Sequence, residues 1–218
     1  MVYYALLKQQ NEEYYYQYLL AAPDAETIDE WWREVSEKDE CNFKRLSPDF
    51  YSWNRNKEAY NAAPDFASKI IYTLLNDRDA RILSTFNQPP RIDVVSRESY
   101  YIRSQSNAGF YWLGKDGQIW ATKSGRTSFI LRIDGSQEKD KTVLIAKDEI
   151  SLTAVGVPNQ KYVSVSDNGE LVLSGHSCRM YFGDLKKNFP AQGEHGMASP
   201  SLPITRFEGH GEEWELVK

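Results

Sequence analysis

Shifted by 52 positions, residues 99–134 of this chain fall on residues 151–186 without a gap. Ser99 meets Ser151, Phe110 meets Tyr162, Leu113 meets Val165, Asp116-Gly117 meets Asn168-Gly169, Ile119 meets Leu171 and Phe129 meets Tyr181. Few residues are identical, but the alternation of apolar and polar positions coincides, and so do the turn residues. Each unit reads as strand, turn, strand, hairpin, strand, turn, strand. The Asx-Gly pair between the second and third runs is the sharpest local signal, because a two-residue hairpin turn demands positive φ at its centre. Self-similarity at a fixed period also means that one unit buries its apolar face only against its neighbours. A third, shortened echo closes the chain: Ile204-Thr205-Arg206-Phe207, then Glu208–Gly211, then Trp214-Glu215-Leu216-Val217. Its leading strands would fall in 188–203, where Pro190, Pro200 and Pro203 disfavour a ladder.

Upstream of the repeat the pattern changes. Tyr4, Leu7, Tyr14, Tyr15, Tyr18 and Leu19 stand near helical spacing, which predicts one amphipathic helix or two short ones over residues 3–20. Pro23-Asp24 breaks that run, and Thr27-Ile28-Asp29-Glu30 reads as a capping box opening a helix that buries Ile28, Trp31, Trp32 and Val35. Ser47-Pro48 and Pro64-Asp65 offer two further helix starts, the second followed by Phe66, Ile70, Tyr72, Leu74 and Leu75. Asn87-Gln88-Pro89-Pro90 forbids helix continuation and marks a boundary. The sequence therefore predicts an α+β chain, with a helical region over residues 1–88 and a β-rich domain over 91–218.

Two four-strand units of this length and a shortened third resemble the β-trefoil superfamily in the manner of ricin-B-like lectins and fascin-like domains, which implies a β-trefoil-like antiparallel β-barrel over 91–218. The resemblance covers 91–218 and rests on Tyr100–Ile133, on Leu152–Leu185 and on Trp214 where a unit's closing aromatic would stand. The Gln-x-Trp triplet of ricin-B-like units is absent, and the third unit is short. A lipocalin-type barrel or another meander is the structural alternative. The resemblance implies a binding module with a shallow sugar pocket, in which an aromatic ring lies on the apolar sugar face and an Asp or Asn bonds its hydroxyls. The matching residue types are Asn107, Tyr111, Trp112, Asp116 and Trp120 in the first unit, and Asn159, Tyr162, Asp167 and Asn168 in the second. Each also has a plainer role, since strand aromatics pack cores and Asx-Gly pairs make turns.

Trefoil proteins also include protease inhibitors and protein-binding modules, so the loops Gly135–Lys141 and Gly193–Pro203 are a second candidate surface. An enzyme with a cleft between the helical and β parts is the third reading. Chemistry has little support in the residues: phosphate loops, nucleophile elbows and GxGxxG are all missing. His176 with Cys178, and the C-terminal group Glu194, His195, His210, Glu212 and Glu213, match no catalytic or metal-ligand spacing. No cofactor is expected. The net charge of −5 and the lack of any basic run argue against a nucleic-acid partner, leaving a carbohydrate or protein ligand. No apolar run approaches the ~20 residues of a spanning helix, and Met1–Leu7 lacks the features of a signal peptide. Cys41 and Cys178, in different halves of the chain, read as free thiols. The expectation is a cytoplasmic protein without membrane insertion.

Overall fold

A computed structural model describes residues 2–10, 17–38, 42–54, 61–75, 91–134, 141–158, 161–191 and 201–218. The chain divides into two compact units, Met1–Asp93 and Val94–Lys218.

The first unit is a five-stranded sheet covered on one face by a helix. Strand β1 (Tyr3–Gln9) pairs antiparallel with β2 (Gln17–Ala22), setting Leu7 opposite Tyr18. Helix α1 (Ala25–Ser36) follows, then β3 (Lys44–Ser47) and β4 (Phe50–Trp53). Strand β4 returns parallel to β1, with Tyr51 opposite Leu7, and β5 (Ile71–Leu75) closes the order β3-β4-β1-β2-β5. A parallel pair needs a long crossover, here supplied by α1 and β3. Leu7, Leu20, Ile28, Trp31, Val35, Tyr51 and Trp53 form the core, with Trp31 edge-on to both Phe43 and Tyr51.

The helical region expected over residues 1–88 is therefore corrected to a sheet with one α-helix among the described residues. The tyrosine-rich start satisfies both periodicities, and sheet pairing decides between them. Ala5, Leu7 and Gln9 alternate into the core, and Tyr is itself a good strand residue. The capping box also shifts. Asp24 is the N-cap, accepting at 2.8 Å from the Thr27 amide, so Thr27 already lies inside the helix. Ser47 ends β3 and Pro48 opens the β3–β4 turn. Pro64-Asp65 opens only a single 3₁₀ turn, Pro64–Phe66, before the chain extends into β5.

One charged cluster sits in this unit. Asp29 on α1 accepts from Arg45 of β3 at 3.0 Å and also from Arg91, and Arg45 in turn pairs with Asp93. Only 7% of the Arg45 side chain and 5% of the Asp29 side chain are exposed. The carboxylates and the nearby Tyr51 hold the Arg45 guanidinium protonated against the penalty of burial.

The second unit is a closed antiparallel barrel of seven strands. These are β6 (Ser99–Ser104), β7 (Tyr111–Lys115), β8 (Gln118–Thr122), β9 (Ser128–Ile133), β10 (Glu149–Ala154), β11 (Tyr162–Val165) and β12 (Leu171–Ser174). The order runs β11-β12-β8-β7-β6-β9-β10, and Thr153 of β10 opposite Tyr162 of β11 closes the ring. Three short strands add to the ring strands: β13 (Met180–Tyr181) pairs with β10, β14 (Ser201–Pro203) with β8 and β15 (Trp214–Val217) with β6.

This barrel corrects the trefoil expectation. Three equivalent four-strand units would be needed, whereas β11 and β12 enter the ring itself and the C-terminal segment, among the described residues, supplies two short strands, β14 and β15. The last strand of the second unit is cut to two residues, because the chain then turns through a 3₁₀ segment, Phe182–Lys186. Asp184 fixes that turn by accepting from the Tyr181 amide at 3.0 Å and the Asn188 amide group at 2.8 Å.

Candidate functional site

Alternation sorts the barrel strands into two faces. Tyr100, Ile102, Trp112, Ile119, Ala121, Phe129 and Leu131 point inward and are fully buried. Tyr101 and Arg103 on β6, Tyr111 and Leu113 on β7, and Gln118 and Trp120 on β8 consequently share the outer face. Register brings them together: Arg103 lies opposite Tyr111, Leu113 opposite Trp120, and Trp120 opposite Pro203 of β14. Tyr101, Arg103, Tyr111, Gln118 and Trp120 are all half-buried, so each leaves part of its surface to solvent.

Two polar pairs flank the aromatic rings. The Gln118 amide group donates to the Glu170 carboxylate at 2.9 Å. Arg103 meets Glu215 of β15 at 2.6 Å, and the hydrogen bonds it makes with Glu215, as donor to the carboxylate, and then with Tyr111 push its pKa upward. Beside them the exposed Arg126, from the β8–β9 connection, lies 4.0 Å over the Tyr101 ring and 5.5 Å over the Tyr111 ring. Rings, an amide, carboxylates and fixed cations together can bind a ligand carrying both apolar faces and hydroxyl or anionic groups.

Tyr111 and Trp120, both expected from the sequence as ligand residues, are brought side by side here. Trp112 is not. It is the hub of the barrel core, edge-on to Phe129 at 6.0 Å and to Phe189 and Trp214 at 5.7 Å each, and it offers no ring face to a ligand. Asn107 is exposed in the β6–β7 connection. Asp116 sits at the tip of the β7–β8 hairpin with φ of 53°, as a hairpin turn requires. Asp167 and Asn168 are exposed in the β11–β12 turn, where Gly169 takes φ of 81°. Those two tips do not converge: β8 and β12 are antiparallel neighbours, with Gln118 opposite Val172, so the turns that open them lie at opposite ends of the pair. Tyr162 stands half-buried on β11 opposite Ser174. Asn159 lies outside the described residues.

No family model matches the chain, and no curated protein matches it.

The remaining sequence candidates stay scattered. His176 is exposed, Cys178 rests its thiol 3.9 Å from the Val163 carbonyl, and the His210 ring packs at a tilt against Phe207, centroids 4.9 Å apart. Glu194 and His195 lie outside the described residues, as do residues 135–140 and 192–200 of the two candidate loops. Among the described residues no three His, Cys, Asp or Glu are placed to hold a metal ion, and no helix is long and apolar enough to cross a membrane.

Arg103, Gln118, Arg126, Glu170 and Glu215 were not singled out by the sequence. A usable signal existed for two of them, since Arg103 and Gln118 stand two residues from Tyr101 and Trp120 and hence share their face. Glu170, Glu215 and Arg126 arrive from a neighbouring strand or a loop, and only the register supplies them.

Proposed function

We propose that the barrel unit is a non-catalytic carbohydrate-recognition module whose binding surface is the outer face of β6, β7 and β8, centred on Trp120. The observation that carries this reading is the half-buried Trp120 indole on the same face as the Gln118–Glu170 amide–carboxylate pair. A pyranose has an apolar face of C–H groups and a rim of hydroxyls that donate and accept. An indole supplies a rigid apolar surface at low entropic cost, while the amide and carboxylate exchange hydrogen bonds with the rim. Leu113 and Pro203, on either side of Trp120 across the strands, support the ring from both flanks. Tyr111 extends the platform, and the Arg103–Glu215 pair provides a further donor and acceptor.

The experiment is a glycan array with the full chain, followed by saturation-transfer NMR on the glycans retained. Trp120→Ala is expected to abolish the transfer signal while leaving the circular dichroism spectrum unchanged, since the ring lies outside the barrel core. Gln118→Ala is expected to weaken binding about tenfold, the scale of one lost hydrogen bond to a partly desolvated group. A wild-type chain that retains no glycan, or a folded Trp120→Ala chain that binds as well as wild type, overturns the reading.

A further inference from the structure

The connection from β8 to β9 runs Lys123-Ser124-Gly125-Arg126, and both of its cations rest on aromatic rings. Lys123 lies 5.0 Å over Phe110, and Arg126 lies over Tyr101 and Tyr111. Among the described residues neither is paired with a carboxylate. Arg103 on the same face is already matched by Glu215, so the two loop cations are its uncompensated charge, on a chain whose net charge is −5.

The loop is held at both ends. Thr122 is buried, shares a hydroxyl hydrogen bond with Ser124 at 2.9 Å and accepts from the Ser124 amide at 3.2 Å. Thr127 donates its amide to the Trp112 carbonyl at 2.9 Å and accepts from the Gly114 amide at 2.9 Å. Gly125 passes close over Leu113. A guanidinium settled against a ring on a pinned loop keeps its N–H donors free at its edge, and that fork matches a carboxylate or sulfate. Tyr111 and Trp120 are diagonal neighbours across β7 and β8, about 7–8 Å apart by strand geometry, so one or two sugar rings span from Trp120 toward Arg126.

We infer that the ligand of this face is an anionic saccharide, bearing carboxylate or sulfate groups, with Arg126 and Lys123 receiving the acidic substituent. This deepens the carbohydrate reading above and rests on it.

The test uses the full chain with three probes: a heparin-derived sulfated oligosaccharide, an oligogalacturonate and a neutral β-glucan oligosaccharide, measured by calorimetry or NMR titration. One or both acidic probes are expected to bind at least tenfold tighter than the neutral one. Arg126→Gln should erase that preference, and Arg126→Lys should restore only part of it, because an ammonium keeps the charge without the fork. Lys123→Gln is expected to weaken acidic-probe binding more modestly. The preferred acidic probe separates sulfate from carboxylate recognition. If Trp120-dependent binding favours the neutral probe, or if folded Arg126→Gln binds acidic probes as wild type does, the inference is overturned while the carbohydrate reading stands. Acidic-probe binding that survives Trp120→Ala marks a simple anion site and overturns both. No binding of any probe, with an empty glycan array, also overturns both.

Discussion

In the N-terminal unit the Asp29 carboxylate is nearly enclosed and holds two arginines, whereas in the barrel the comparable pair, Arg103 and Glu215, leaves 31% and 35% of its side chains exposed. The difference follows from how each sheet ends. A barrel closes its hydrogen bonding on itself, so backbone pairing alone fixes every strand of the ring, and charge can stay on the outer face. An open sheet has two edges and a chain leaving it. Here Arg91 and Asp93 of the departing segment are tied back to α1 and to the edge strand β3 through the buried ions. Charge in the first unit constrains architecture; charge on the second is available to a ligand.

The largest expected effect breaks the buried side of that contrast. Asp29→Ala leaves Arg45 and Arg91 without their shared carboxylate, and removing one partner of a buried pair costs about 3–5 kcal/mol. Trp112→Ala, which empties the apolar hub of the barrel, is expected to cost a similar ~3–5 kcal/mol by a different route, a cavity rather than an orphaned charge. Urea titration with hydrogen exchange read separately for the two units, Met1–Asp93 and Val94–Lys218, checks both. Asp29→Ala should loosen the first unit and Trp112→Ala the second. An Asp29→Ala cost below about 1 kcal/mol would mean that the cluster is no structural tie.

The same contrast explains what the sequence revealed. Strand positions in the barrel could be read because each hairpin announces itself, with Asp116, Gly117 and Gly169 taking the positive φ that their types favour. How those strands join was not legible: whether β11 pairs with β10 and closes a ring depends on partners remote in sequence. The first unit was misread for a related reason. Tyr4 and Leu7 fit a helical stripe as well as a strand, and pairing selects the strand, with β2 on one side and with β4, more than forty residues later in the chain, on the other. At the candidate site, Trp112 and Trp120 share a residue type and a hairpin, and strand alternation places them on opposite faces. Deciding which tryptophan faced the core required the register. The hairpin carboxylates Asp116 and Asp167 drew attention by their turn chemistry, which the turns themselves account for.

Alkaline pH sharpens the comparison from another direction. Burial raises the phenols of Tyr3, Tyr51 and Tyr72, all three in the N-terminal unit. An unfolded tyrosine ionises near pH ~10. The folded phenols keep their protons to higher pH, so above that value the unfolded state releases protons first. Their contribution is fully present below about pH 10 and is lost as pH rises toward the folded values. Urea midpoints measured from pH 8 to pH 11 should fall at the alkaline end. In Tyr72→Phe, which removes one of these buried phenols, the fall should be shallower. Equal slopes for the two chains would show that the Tyr72 phenol is not among the groups responsible.

The smallest expected effect lies on the exposed side of the contrast. Arg103→Ala removes a pair with both partners about one-third open to solvent, and such pairs contribute about 0–1 kcal/mol. The thermal midpoint of the barrel should therefore barely move, and added salt should narrow even that difference, since exposed pairs are screened. Its consequence for the outer face should be larger than its consequence for the fold. Without Arg103 the Glu215 carboxylate stands uncompensated on β15 beside the platform, so an anionic probe should bind more weakly to Arg103→Ala than a neutral one does, relative to wild type. A stability loss close to that of Asp29→Ala would break the comparison, placing a structural tie on the barrel surface where backbone closure makes one unnecessary.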